Sequence, residues 1–322
     1  MSDVIGILLS DVHLCDNPPI ARSSEPDWKK AMLRPLDEVR SLKDKYSVPI
    51  ICGGDLFDHW HISPEFVNWS IKHLPTMYSI AGQHDLKHHS LPEIRKTSYW
   101  TLVEAGIVNH IPRITGVPDF TGTVTLQNNF ESFAPIEIGE LQLFGFSWGT
   151  ELQPCKWPAK TFGSRLAVVH KYVWVEGKGH KKATQDSRLK KVMKDLDGFD
   201  NILFGDNHQT IHAGKAFNPG SLMRRRIDQI NHKPCVGLLH NDNTIVKHYL
   251  DCTQDKFLQP EEVIEKAEGQ TELHNLMVDL TASTDNSIDF AQAVKFWIEK
   301  NKPGSRVRKI LLSALENNHE RL

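Results

Sequence analysis

Five times in this chain an apolar run that reads as a buried strand stops, and a carboxylate, imidazole or amide stands at its exit. These are Asp11 and His13 in "LLSDVHL", Asp55 and Asp58 in "GGDLFDHW", Gln83, His84 and Asp85 in "AGQHD", His170 in "AVVHK", and Asp206 with His208 in "FGDNHQ". Groups of this kind are costly to take out of water unless something pairs with them. The pattern therefore asks for a fold that gathers several strand ends on one rim, and for chemistry that such groups perform together.

The intervening segments supply that fold. Between "VIGILLSD" and "VPIICGGD" the stretch from Pro26 to Lys45 has helical character around Met32, Leu33, Leu36, Val39 and Leu42. In "ISPEFVNWSIKHL", Ser63 is placed as N-cap and Pro64 as first helical residue, with Val67, Ile71 and Leu74 along one face. "TMYSIAGQHD" reads as a third strand with a polar exit. This is an α/β layered layout, in which strand ends present side chains along one edge of the sheet. Beyond Gly106 come shorter strands, "VTLQ", "PIEIG", "LQLFGFSW", "RLAVVHKYV", "NILFGDNH" and "CVGLLHNDNTIVKHYL", which predict a second sheet packed on the first with helices outside. From about Thr253 helical stretches take over: "SIDFAQAVKFWIEKN" places Phe290, Val294, Trp297 and Ile298 on one face, and "SRVRKILLSALENN" reads as a final helix. Residues 1–252 are expected as the main domain and 253–322 as a small α+β appendage.

A chain of 322 residues buries a substantial core without disulfides or structural metals. Its 39% hydrophobic and 24% charged residues are ordinary for a soluble domain, and no apolar stretch reaches the length of a membrane span. "MSDVIGILLSDVH" lacks the features of a secretory signal, so the expectation is a cytoplasmic protein with no membrane partner. Cys15, Cys52, Cys155, Cys235 and Cys252 are scattered and form no C-x-x-C pair, which fits isolated core residues.

Imidazole and carboxylate groups without sulfur suit Mn²⁺, Fe²⁺ or Zn²⁺ better than Ca²⁺. In such sets one carboxylate can bridge two ions that share and acidify a water, which makes the expected product a two-metal hydrolytic site. Taken singly, each motif has a plainer reading: a D-x-H can be a turn aspartate beside a surface histidine, and a lone strand histidine is more often a hydrogen-bonded core residue. The ordered series D-x-H, G-D-x-x-D, G-x-H-D, strand-end His and G-x-x-H carries the metal reading.

That series resembles the calcineurin-like metallophosphoesterases, over roughly residues 4 to 250. The resemblance implies a four-layer α-β-β-α double β-sandwich with a small C-terminal cap, and two divalent metals at the C-terminal strand ends. Carried over by position, Asp11, His13, Asp55 and His208 would hold the first metal, and Asp55, Gln83, His170 and Asp206 the second, with Asp55 bridging. Asp58 would orient His84, the candidate general acid or transition-state donor; a supporting role behind the ligands is the plainer reading of His84. Two positions depart from the family: "GQHD" stands for G-N-H-D or G-N-H-E, and "GDNH" for G-H-x-H. Both fall on the second metal. A longer amide and an anionic oxygen donor there favour Mn²⁺ or Mg²⁺ over Zn²⁺; weak binding is the other outcome.

The Arg-Gly and glutamate of protein serine/threonine phosphatases are missing. "GDLFD", a length near three hundred residues and an appendage after "NPGSLMRRR" are more similar to SbcD-type nuclease subunits, which process DNA ends with an SMC-like ATPase. This implies a Mn²⁺-dependent nuclease acting on DNA, a cap at 253–322 that positions it, an ATPase partner, and a homodimer through "SPEFVNWSIKHL", whose apolar face equally suits the core. Two alternatives stand beside it: a phosphodiesterase or phosphatase on small nucleotides or other phosphoesters, and a metal-depleted subunit that binds DNA or an ATPase. Lys178, Lys181, Lys182, Arg188, Lys190, Lys191 and Lys194, with Arg224, Arg225 and Arg226, would hold a nucleic-acid backbone without reading its sequence. A solvated face is the plainer reading of such a run. Tyr172 and Trp174 suit base stacking or strand packing alike. His59, His61, His88 and His89 are read as loop residues.

Overall fold

The computed structural model describes residues 2–114, 131–132, 134–157, 163–180, 183–259, 261–263, 266, 297–299, 301–305 and 307–312. Its strands are β1 (Val4–Leu9), β2 (Ile50–Cys52), β3 (Met77–Ser79), β4 (Val108–His110), β5 (Arg113–Ile114), β6 (Glu131–Ser132), β7 (Ile136–Ile138), β8 (Leu141–Phe146), β9 (Ser164–His170), β10 (Asn201–Gly205), β11 (Ile211–Ala213), β12 (Ala216–Asn218), β13 (Cys235–His240) and β14 (Ile245–Tyr249). The helices used below are α1 (Trp28–Tyr46), α2 (Pro64–His73), α3 (Ser98–Glu104) and the single turn α4 (Leu189–Val192).

Strand alternation sorts side chains into layers. Successive residues of a strand point to opposite faces, and a strand buried on both sides is apolar at every position. In β1, Ile7 and Leu9 join one core cluster while Leu8 joins another. In β9, Leu166 and Val168 share that second cluster, and Ala167 and Val169 face a third. The second cluster is thus the filling between two six-stranded sheets, ordered β14-β13-β1-β2-β3-β4 and β11-β12-β10-β9-β8-β7. Trp28, Met32, Leu36, Val39 and Leu42 of α1, with Phe66 and Val67 of α2 and Leu102 of α3, cover the outer face of the first sheet. Leu189 and Val192 of α4, with Leu196 and Phe199, cover the outer face of the second. The result is the α-β-β-α arrangement expected from the sequence.

Within the sheets, β1, β2, β3 and β4 run parallel, as do β8, β9, β10 and β12. Parallel strands of one sheet end on the same edge, and it is these ends that carry the polar motifs. The helix boundaries follow local signals. Asp27 caps α1 by accepting from Lys30 N at 3.0 Å, and Ser63 caps α2 by accepting from Phe66 N at 3.2 Å, with Pro64 in the first turn. The apolar face of α2 is spent in the core: Phe66 and Val67 are buried there.

One assignment is corrected. The segment "CVGLLHNDNTIVKHYL" does not belong to the second sheet; it forms the hairpin β13–β14, and β13 pairs antiparallel with β1, closing the open side of the first sheet. Sequence order places it after all six strands of the second sheet, but β1 is a buried central strand and needs a partner on both sides. Leu238 and Leu239, facing opposite clusters, supply it.

The chain groups into two compact units: one of Met1–Pro18, Glu25–Arg224 and Gln229–Asp255, the other of Pro19–Ser24, Arg225–Asp228 and Lys256–Leu322. In the second unit, buried Arg22 donates to the Lys256 carbonyl at 3.1 Å and sits 5.0 Å from the Phe257 ring centre, and Leu258 N donates to Ala21 O at 2.9 Å. Much of the expected α+β appendage, including Phe290 and Val294, lies outside the described residues, as does "VTLQ". Among the described residues no helix is long and apolar enough to cross a membrane.

Candidate metal centre

The exits of β1 and β2 run side by side. Asp11 N donates to Gly54 O at 3.0 Å, His13 N to Asp55 O at 3.0 Å and Leu14 N to Leu56 O at 2.9 Å, so the two loops continue the ladder of their strands. Asp11, His13, Asp55 and Asp206 all have left-handed backbone, with φ of 52°, 51°, 51° and 83°. Residues other than glycine adopt this region at a cost, and its concentration at one rim marks a shaped functional site. Gly54 and Gly82 make room for it. A Cβ on Gly54, itself at φ 100°, would stand 2.5 Å from His170 Nδ1, and one on Gly82 would stand 2.1 Å from Asp55 Oδ1.

The side chains converge. Asp11, His13 and His208 bring ligand atoms within 4.8 Å of one another; so do Asp11, Asp55 and His170, and so do His13, Asp58 and His84. His13 Nε2 lies 3.1 Å from His208 Nε2, 3.8 Å from Asp11 Oδ1 and 3.8 Å from Asp55 Oδ2. On its other side Asp55 Oδ2 is 3.4 Å from His170 Nε2, an attractive approach without hydrogen-bond geometry. One carboxylate oxygen therefore faces two histidines from different sheets. Asp55 Oδ1 is already committed, accepting from His84 N at 2.9 Å.

Hydrogen bonds behind these atoms fix their orientation. His170 Nδ1 donates to Gly53 O at 2.6 Å, which aims Nε2 at the cluster. Asp206 N donates to the Asp11 carboxylate at 3.1 and 3.2 Å, and Gln83 Nε2 donates to Asp206 Oδ1 at 2.9 Å. That last bond leaves Gln83 Oε1 buried with no hydrogen-bond partner, as are Asp55 Oδ2 and His170 Nε2. Buried polar atoms are rarely left without a partner, and an amide oxygen, a carboxylate oxygen and an imidazole nitrogen at one rim are donors that divalent cations take.

The electrostatics agree. Burial pushes the Asp11 carboxyl up to about 8, with Asp55 and Asp206 adding to the rise and His170 opposing it. Burial works against charge on His170 too, but Asp55 foremost, then Asp11 and Asp206, carry the imidazole up to about 10. Burial alone would raise Asp55; His170, His13 and His84 outweigh it and hold that carboxyl well below its usual range. Three carboxylates around so small a volume call for positive charge, which protons supply in the metal-free protein and divalent ions would replace.

Asp58 meets His84 through its main chain. His84 Nδ1 is bonded at 2.8 Å to the main-chain carbonyl of Asp58, while the Asp58 carboxylate stands 3.5 Å from His13 Nδ1. The carboxylate thus backs a candidate ligand, and the peptide carbonyl orients His84. Asp85 has a role that the motif series does not assign. It is fully buried and accepts from Leu56 N, Phe57 N and Gly82 N at 3.2, 3.0 and 3.0 Å, clamping the β2 exit to the β3 exit; burial, then the Asp55 charge, pushes it up to about 7. Its place as the last residue of "GQHD" was the available signal.

The basic residues scatter. Arg224 is spent inside the fold, pairing with Asp255 at 2.9 Å and donating to the Ile230 and Cys252 carbonyls at 2.8 and 2.6 Å, so its guanidinium is not free for a phosphate. Lys178 Nζ donates to the Thr210 carbonyl, Lys191 pairs with Asp186, and Arg188 lies 5.5 Å from the Trp174 ring. Arg225 is half-buried in the second unit. Lys181 and Lys182 lie outside the described residues. Tyr172 and Trp174 hold their own loop: the Tyr172 hydroxyl accepts from His180 N at 2.9 Å and Trp174 Nε1 donates to Thr184 O at 2.8 Å.

No protein-family model and no curated protein matches the chain. Among solved structures it is similar to a calcineurin-like phosphoesterase, YfkN, from Bacillus subtilis, at 10% identity and a TM-score of 0.41, covering 85% of this chain and 98% of that one. It is also similar to a metallophosphoesterase from Sphaerobacter thermophilus, at 14% identity and a TM-score of 0.32, covering 82% and 98%.

Proposed function

We propose that the chain is a binuclear-metal phosphoesterase of the calcineurin-like type, and that its substrate is a phosphodiester of DNA. One observation carries the first part: Asp55 Oδ2, buried and without a hydrogen-bond partner, lies between His13 Nε2 at 3.8 Å and His170 Nε2 at 3.4 Å. Asp11, His13 and His208 would hold one ion, His170, Gln83 and Asp206 the other, and Asp55 both. The donor set is oxygen-rich on the second side, which favours Mn²⁺ or Mg²⁺. Divalent ions bound there supply positive charge for phosphoryl oxygens and an acidified water as nucleophile.

The chain's own residues do the rest. The imidazoles of His170, His13 and His84 favour the charged form of the Asp55 carboxylate, and the left-handed loops hold the ligands in place before substrate arrives. His84 is 40% exposed, with Nδ1 engaged by the Asp58 carbonyl and Nε2 4.0 Å from Asp55 Oδ2. It stands between the cluster and solvent, where an imidazolium can pass a proton to a leaving oxygen. Support for DNA is the sequence resemblance to SbcD-type subunits, which also motivates an SMC-like ATPase and a second copy as partners, and 253–322 as the cap. The Gln83–Asp206 hydrogen bond favours a second reading, in which the second ion binds weakly and the chain is a slow enzyme or a DNA-binding or ATPase-binding subunit.

The test is hydrolysis of a labelled DNA duplex and of bis-p-nitrophenyl phosphate in Mn²⁺, with the bound metal counted. Cutting of both, with two equivalents bound, is expected. Cleavage of the small ester alone points to small phosphoesters, and no cleavage with fewer than two equivalents overturns the binuclear enzyme.

A further inference from the structure

Where β8 and β9 end, a cavity of about 620 Å³ is lined by Phe146, Trp148, Glu151, His170, Lys171 and Asp195, among others. It shares His170 with the candidate metal centre, so the two adjoin through that residue. Its size is that of sites that take small organic ligands, about 300–1,000 Å³. The aromatic wall is held rigidly. Trp148 N donates to Ala81 O at 2.9 Å, Ser147 Oγ accepts from Ala81 N at 3.2 Å, and Thr150 donates to Ser147 O through N at 3.1 Å and Oγ1 at 2.8 Å. This turn keeps the indole half-buried, its ring centre 6.5 Å from that of His170. The cavity is also polarised. Lys171 is exposed directly after His170, while Glu151 and Asp195 bring exposed carboxylates. An anion belongs at the lysine, and hydrogen-bond donors belong at the acids.

We propose that this cavity receives the nucleoside next to the phosphate at the metal centre, with the base against Trp148, its amino group toward Glu151 and Asp195, and Lys171 on the phosphodiester. The proposal rests on the phosphoesterase reading and deepens it, naming a nucleotide with an amino-bearing base as the substrate unit. Stacking is tolerant of which base is bound, whereas carboxylates accept from exocyclic amino groups, such as that of cytosine.

The experiment measures binding to the full-length, Mn²⁺-loaded protein by calorimetry, with deoxycytidine 5′-monophosphate and 2-deoxyribose 5-phosphate as probes. The nucleotide is expected to bind the unmodified protein at least about tenfold more tightly than the sugar phosphate, the size of one stacked base. Trp148→Ala is expected to erase that difference without changing the metal count, Trp148→Phe to keep most of it, and Lys171→Ala to weaken both probes. Equal affinity of the two probes for the unmodified protein overturns the proposal, and so does an undiminished difference in Trp148→Ala. Failure of the phosphoesterase reading looks different: Mn²⁺ is then not bound, or bis-p-nitrophenyl phosphate is not cut.

Discussion

At the scale of single residues, Asp55 unites the site, because one of its oxygens faces histidines of both sheets and the other is tied to the His84 amide. Asparagine tolerates left-handed backbone, so Asp55→Asn removes charge while keeping the loop. Calorimetric titration with Mn²⁺ is expected to show affinity falling by more than the roughly tenfold to hundredfold of an outer-shell change. His84→Ala is expected to retain the bound metal and lose about 10²–10⁴ of turnover; unchanged turnover would remove His84 from the mechanism. The metal-free protein carries a pH signature as well. Asp11 and Asp85 hold protons that the unfolded chain gives up above the ordinary carboxylate range, and the contribution of charged His170 is lost as pH rises toward about 10. Asp55 works the other way, but only in acid. Between pH 6 and 9 the folded state binds the more protons, so its stability falls as pH rises. Thermal melts with a chelator should show that decline, and the shift produced by Mn²⁺ should grow with pH. A flat profile would contradict the buried, proton-sharing cluster. These residues were legible as an ordered series: each motif alone reads as a turn or core residue, but five strand exits repeat the same kinds of group. The roles of Asp58 and Asp85 were not, since sequence does not distinguish a carboxylate that faces a ligand from one that gathers backbone amides, or a side chain from its own carbonyl.

At the scale of elements, the helices were legible through their caps and apolar spacing, and Ser63 and Leu36 show why. Ser63→Ala removes the acceptor for Phe66 N and is expected to cost about 1 kcal/mol, while Leu36→Ala opens the fully buried face of α1 and is expected to cost about 2–5 kcal/mol. Denaturant melts of the chelated protein measure both. The β3 exit is the more sensitive element. In Gly82→Ala the new methyl falls 2.1 Å from Asp55 Oδ1, so the loop must move and Mn²⁺ binding should drop even where the fold survives. Sheet membership was less legible. The β13–β14 hairpin reads like any other pair of short strands, and only the unfilled side of β1 decides where it docks. Strand pairing is a long-range choice that local pattern does not encode.

At the scale of the molecule, the first sheet supplies Asp11, His13, Asp55, Gln83 and His84, and the second supplies His170, Asp206 and His208. The filling between the sheets is apolar and has no preferred direction, so it resists separation more than sliding. Directional bonds across the rim include His170 to Gly53 O, Asp206 N to Asp11 and Gln83 to Asp206. An ion held by residues of both sheets would be a rivet through the seam of two plates, fastening them at one end only. Shear strength would then depend on a solute: a preparation stripped of metal should exchange its rim amides, at 10–13, 53–58, 82–85 and 206–208, far faster than its opposite edge. Its heat tolerance would record how much divalent metal it last met.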